Sequence, residues 1–250
     1  MKLSEALENS GISAIIYGEA GSGKTHFCGT LPGKTLIIAA EKNGINTLKK
    51  FPKEAQDRLE LLFLPPITAD INKTSAAFNK FFDDLMLANI PQDNIVLDSA
   101  TELANLLLIL KTDPAKNGGT PTMKNYGEVQ FGMKRYLRIL RDLAAVRGKN
   151  VVVIALESEL VINQIADDSM TSKTHPAISG KKLAPEAEGL FDIVGHMEKT
   201  PAGVRYIRLE GNDKFVAKDR FGRKACIADG ATFINGLTGN ENATEATENK

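Results

Sequence analysis

The 250-residue sequence predicts an α/β fold: a mostly parallel central sheet, extended by antiparallel strands towards the C-terminal end. Three observations point there. Apolar runs at 35–40, 95–97 and 151–156 show no polar alternation, the pattern of strands buried on both faces. Stretches with helical spacing separate those runs, as crossover connections require. Later segments at 191–198, 204–209 and 215–218 alternate instead, with turn residues Pro201-Ala202-Gly203 and Gly211-Asn212-Asp213 between them.

The elements follow in order. Residues 12–17 form a first apolar strand, and a short helix comes after the glycine-rich segment at 18–25. Gly33 and Glu41 bound the strand at 35–40, and Pro65-Pro66 stops a third at 59–64. From 73 to 89, Ala77, Phe78, Phe81, Phe82, Leu85 and Met86 recur at helical spacing and read as core. The strand at 95–98 ends in Asp98, a helix covers 100–110, and Gly and Pro make 112–125 a loop. A long amphipathic helix spans 126–147, with Val129, Met133, Leu137, Leu140 and Ala144 on one face. After the strand at 151–156, residues 157–185 are polar without a clear period and read as a long functional loop. The expected organisation is one domain over 1–237, followed by a disordered polar tail at 238–250.

Composition narrows the function classes. Hydrophobic residues make up 42%, enough for one full-sized core. Lys plus Arg and Asp plus Glu number 31 each, so no global field draws the chain to nucleic acid, and polyanion binding must come from local patches. Cys28 and Cys226 lack metal-ligand spacing and read as free thiols in a reducing compartment. No signal-peptide core and no membrane-length apolar run is present, so a cytoplasmic chain without a membrane partner is expected.

The chemistry concentrates at Gly18-Glu19-Ala20-Gly21-Ser22-Gly23-Lys24-Thr25, a complete G-x-x-x-x-G-K-[ST] loop between a strand and a helix. Its backbone N–H groups can cradle the phosphates of ATP, and the contact set runs on to His26 in the next turn. Lys24 brings a point charge to the β- and γ-phosphates, while Thr25 offers a hydroxyl to Mg²⁺. Asp98, at a strand end, can hold the same Mg²⁺; otherwise it or Ser99 caps the helix that follows. Glu41 ends the second strand where it could orient an attacking water, or it is a solvated glutamate opening the next loop.

This order of elements, with Glu41 and Asp98 closing successive strands, is similar to the RecA-type recombination ATPase core. Asn125-Tyr126-Gly127-Glu128-Val129, leading into Met133-Lys134-Arg135-Tyr136-Leu137-Arg138, together with Ala217-Lys218-Asp219-Arg220-Phe221-Gly222, resembles the bacteriophage branch of RecA-like single-strand annealing recombinases. The resemblance covers roughly residues 10 to 236. It implies an ATPase that is weak without DNA or neighbours, with Glu41 as water activator. It also implies that Lys218 and Arg220 reach the nucleotide of an adjacent subunit in a ring or filament. If they do not, the two are solvated charges on an edge strand.

The same resemblance implies single-stranded DNA held by the segments at 112–125 and 157–185, through Lys116, Lys124, Lys173, Lys181 and Lys182. Aromatic stacking platforms are sparse there, so backbone contacts dominate, with solvated loop lysines as the alternative. A single-strand-binding protein is a candidate partner, and the compartment is the host cytoplasm if a phage encodes the chain. Two departures stand out. The γ-phosphate sensor place carries Leu156 or Glu157 rather than an ordinary polar residue, and only about ten residues precede the first strand. Two other readings stay open: an ATP-switched DNA-binding module with little turnover, and an ATPase for helicase motion or protein remodelling.

Overall fold

The computed structural model describes residues 10–41, 44–68, 70–113, 115–163, 170–178 and 183–237. In chain order the strands are β1 (Ser13–Gly18), β2 (Thr35–Ala39), β3 (Leu59–Phe63), β4 (Asn94–Asp98), β5 (Asn150–Asn163), β6 (Met170–Pro176), β7 (Ile193–Lys199), β8 (Arg205–Arg208), β9 (Lys218–Asp219) and β10 (Ala225–Ile227). The α-helices are α1 (Lys24–Gly29), α2 (Lys53–Gln56), α3 (Ile71–Leu87), α4 (Ala100–Lys111), α5 (Met123–Arg147), α6 (Leu183–Leu190) and α7 (Gly230–Asn235).

The strand order is β10-β8-β7-β1-β5-β4-β2-β3, with β6 paired to β5 and β9 to β7. All pairs from β7 through β1, β5, β4 and β2 to β3 are parallel, and β8, β9 and β10 add antiparallel partners. The α/β architecture expected from the apolar runs is the one observed. β1 shows why those runs lack alternation: all six residues are buried. Ile15 and Tyr17 face one apolar layer while Ala14 and Ile16 face the other, because side chains switch face at every strand residue.

On one face lie α3, α4 and α5. Phe82 of α3 stacks on Tyr136 of α5 at 4.1 Å, and the Tyr136 hydroxyl donates to Asn79 at 2.9 Å. Arg135 forks onto Asp83 at 2.7 and 2.8 Å, and Lys134 pairs with Glu186 at 2.5 Å. The Lys-Arg pair of α5 is thus engaged in helix packing. On the other face, Phe27 of α1 meets Phe233 of α7 edge-on at 5.4 Å.

Local chemistry sets the helix boundaries. The Asp70 carboxylate accepts from the Lys73 N–H at 2.9 Å, so α3 begins two residues earlier than the apolar period suggests. Thr122 and Asn125 form a reciprocal capping box, which starts α5 at Met123 and draws 123–125 out of the expected loop. A short 3₁₀ turn also lies within 112–125, at Asn117–Gly119.

Residues 157–185 depart most from expectation. β5 continues past the sheet to Asn163, and β6 returns against it from Asn163 opposite Met170 to Glu157 opposite Pro176. A two-stranded arm followed by α6 therefore replaces most of the expected loop. Ser158, Glu159 and Ser172 are exposed on this arm, so the polar run there carries no apolar alternation of the kind that marks a half-buried strand. Likewise 215–218 contributes only its last residue to β9, and Phe215 makes a single bridge to Thr174. Among the described residues no helix is long and apolar enough to cross a membrane. The tail at 238–250 lies outside the described residues.

Candidate active site

Gly18 closes β1, and the chain then turns back over the strand end, with the Ser22 N–H donating to the Glu19 carbonyl at 3.2 Å. Two glycines are sterically required. A Cβ on Gly18 would meet the Met197 carbonyl oxygen at 2.4 Å, and Gly23 stands at φ +107°. Glu19, Ala20 and Gly21 form the exposed crown of the loop, while Ser22 is buried.

Lys24, the first residue of α1, is only 7% exposed. Its ammonium donates to the carbonyls of Gly18 and Glu19, both at 2.7 Å, and to the Ser22 hydroxyl at 3.2 Å. All three protons are used, which is how a buried ammonium avoids an uncompensated desolvation cost. Burial pulls its pKa down to about 8, against the opposing pull of the Asp98, Glu157 and Glu19 carboxylates. Phosphate oxygens could replace the carbonyls as its partners.

Thr25 donates its hydroxyl to Asp98 Oδ2 at 2.7 Å. The cap of α4 falls to Ser99, whose hydroxyl accepts from the Glu102 N–H at 3.2 Å. Asp98 is therefore free of capping duty and turns towards the phosphate loop. Burial raises its pKa, with the Thr25 hydrogen bond and the Lys24 charge opposing. A hydroxyl and a carboxylate at hydrogen-bond distance form an oxygen donor pair suited to Mg²⁺, whose other ligands are ordinarily phosphate and water. The pair could hold the ion, which would supply charge neutralisation across the phosphates.

Glu41 follows β2 at the sheet edge where β4 ends, since Ala39 lies opposite Asp98 and the Ala40 N–H donates to the Asp98 carbonyl at 2.8 Å. Its side chain is exposed. At the tip of the sheet portion of β5, Leu156 is 39% exposed, whereas Glu157 turns inward and meets His196 Nε2 at 2.9 Å. The other ring nitrogen of His196 meets Glu198 at 3.1 Å, and its ring lies between Tyr17 and Phe215, at 4.9 and 4.8 Å. Nothing in the phosphate-loop motif foretells this network. A histidine and a glutamate within an otherwise apolar strand are the local signal that could have suggested it.

The remaining site residues fall elsewhere. His26 is exposed with its ring against Phe51 at 4.7 Å, leaving only its backbone to face a ligand. Lys218 and Arg220 lie beside Val194 and Asp192, at the opposite end of β7 from the phosphate loop, so they are not brought to this chain's own site. Arg220 pairs with Asp192 at 2.9 Å, and the same carboxylate accepts from the Ser13 hydroxyl at 2.7 Å. Lys116 pairs with Asp113 at 3.2 Å, and Lys124 lies 3.9 Å from Glu128. Both are exposed pairs screened by solvent, so the lysines could exchange these carboxylates for other anions. Lys173 stands on β6, near Glu188; Lys181 and Lys182 lie outside the described residues.

A family model described as an AAA domain matches residues 10–221, most of the chain, from the phosphate loop and the Asp98 and Glu41 carboxylates through β9. The chain belongs to the AAA domain family. It is a nucleotide-binding P-loop ATPase domain, and the matched range includes Gly18 to Thr25 and Asp98. A search of curated proteins found no match to this AAA domain.

Proposed function

We propose that this AAA domain is a Mg²⁺- and ATP-dependent recombination protein of the kind phages encode, binding single-stranded DNA and promoting annealing of complementary strands. The observation that carries the reading is the β5–β6 arm. It rises directly from Leu156, which lies opposite Gly18, so an arm of about 20 Å begins at the edge that bears the phosphate loop. Its first side chain, Glu157, acts on the Lys24 charge. A change at the phosphates thus has a short path to the arm, across one strand pair and through the charge of Glu157. The segment before α5 favours the same side. α5 delivers the chain to the start of β5 and is about 37 Å long, which carries its first residues towards the phosphate-loop edge.

In this reading Lys24 binds the β- and γ-phosphates, Thr25 and Asp98 hold Mg²⁺, and Glu41 orients the attacking water. Lys116, Lys124, Lys173, Lys181 and Lys182 track the DNA backbone. The protein works as a ring or filament in which Lys218 and Arg220 complete a neighbour's site, and a single-strand-binding protein is a candidate partner. Turnover is weak until DNA and neighbours are present.

Two measurements test it. Lys24→Ala should abolish ATP binding and turnover; intact turnover would remove the assignment. Oligonucleotide binding by the full chain should fall with salt at a log–log slope of about −0.7 per phosphate contact, and replacing Lys173, Lys181 and Lys182 with alanine should flatten that slope. A salt-independent affinity, or DNA binding untouched by the triple change, would remove the DNA role and leave an ATPase acting on protein.

A further inference from the structure

Arg205 opens β8 opposite Lys199, at the end of β7 nearest the phosphate loop. Its stem lies in the notch left by Gly23: a Cβ built there would fall 2.6 Å from both Cδ and Nε of Arg205 and 3.5 Å from Cζ. The guanidinium is therefore held against the loop residue that precedes Lys24. Its neighbours on β8 are committed elsewhere. Tyr206 donates to Glu198, and Arg208 lies over the Tyr206 ring at 4.6 Å and 3.6 Å from Glu198. Arg205 is exposed, and among the described residues its guanidinium has no hydrogen bond and no ion pair. An arginine fork with no carboxylate partner, resting on a phosphate-binding loop, has all its donors available to an anion.

Charge arithmetic gives such a donor a task. A nucleoside triphosphate brings about four negative charges, of which a Mg²⁺ ion offsets two and Lys24 one. Asp98, Glu157 and Glu19 add negative charge around Lys24. Lys218 and Arg220 stand at the far end of β7 and cannot serve the loop of their own chain. We propose that Arg205 is a second phosphate-binding cation of this nucleotide site, supplied in cis, closing over the loop from the β7–β8 side. The inference rests on nucleotide binding at Gly18 to Thr25 and adds a residue outside that motif. Its fork suits two oxygens of a polyphosphate, and because the exposed guanidinium has no partner to lose, it reorients at little cost.

The test is equilibrium binding of ATP, ADP and inorganic tripolyphosphate to the full chain and to Arg205→Met, Arg205→Lys and Lys24→Ala. Arg205→Met keeps a stem to pack on Gly23 and removes the charge. It should weaken all three ligands about tenfold or more, with Arg205→Lys recovering part of the loss. A thermal melt of Arg205→Met without ligand, matching the parent, separates this loss from unfolding. Unchanged affinity would overturn the proposal. Tighter binding would show that Arg205 obstructs the loop. Loss for ATP and ADP with tripolyphosphate unaffected would move the contact to the base or sugar and equally overturn it. Lys24→Ala is the independent control: if that variant binds as the parent does, the phosphate-loop assignment itself fails, whatever Arg205 shows.

Discussion

Tyr17 shows how one hydroxyl can join three segments at the base of the site. Its phenol donates to the Val216 carbonyl at 2.6 Å, accepts from the Val216 N–H at 3.1 Å, and lies 3.0 Å from the Thr174 carbonyl. The end of β1 is thereby tied to β6 and to the chain that leads into β9. Burial raises the phenol pKa well above its ordinary value, so the proton needed for the donation stays in place. Tyr17→Phe keeps the ring between the apolar layer and His196 but takes the donor from the half-buried Val216 carbonyl, while the Val216 N–H keeps the Thr174 carbonyl at 3.0 Å. It should cost about 1–3 kcal/mol, read as a lower urea midpoint at unchanged slope. An unshifted midpoint would mean that water serves this carbonyl equally well. At this scale the sequence was legible where chemistry is local. Lys24 and Thr25 lie within one short motif, and Asp98 closes an apolar run. His196 and Arg205 were hidden because their partners, Glu157 and Gly23, are distant in sequence and no spacing rule links them.

Among the elements, the junction of β4 and α4 separates two duties that the sequence leaves tangled. Either Asp98 or Ser99 could cap the helix, and a capping aspartate would not be available to the phosphate loop. The cap is Ser99, at 3.2 Å from the Glu102 N–H, and Asp98 takes the Thr25 hydroxyl. Ser99→Ala should therefore lower stability by about 0.5–2 kcal/mol while leaving Mg²⁺-dependent turnover in place. Asp98→Asn should do the reverse, losing turnover with a smaller change in the melt. Loss of turnover in Ser99→Ala at full stability would return Ser99 to the site. The β5–β6 arm was illegible for a related reason. Strands inside the sheet are recorded in sequence by burial on both faces, whereas the arm is held by its own ladder from Glu157 to Asn163. Ser158, Glu159 and Ser172 are exposed there, so these positions have no apolar face to record a strand period.

For the whole molecule, the decisive question is whether one chain holds a complete site. The phosphate loop, Asp98 and Glu41 gather at one edge of the sheet, while Lys218 and Arg220 lie beside the opposite end of β7. The Arg220 side chain is 57% exposed and its bond to Asp192 is a surface pair, so releasing it costs about 0–1 kcal/mol. In the proposed assembly, a cation near the start of one chain's β7 meets the nucleotide at the strand ends of the next. Such head-to-tail contact makes heterologous interfaces that close into rings or run on as filaments. Lys24→Ala subunits then keep a working cation but no phosphate site, and Arg220→Ala subunits the reverse. Each variant alone should be nearly inactive, and mixing them should restore turnover at the Arg220→Ala phosphate loops that face a Lys24→Ala neighbour. The restored rate should rise to a maximum at intermediate ratios and fall at either extreme, a profile that two independent partial activities cannot produce. Additive rates in a mixture shown by crosslinking to co-assemble would confine catalysis to a single chain and leave Arg220 as a partner for Asp192.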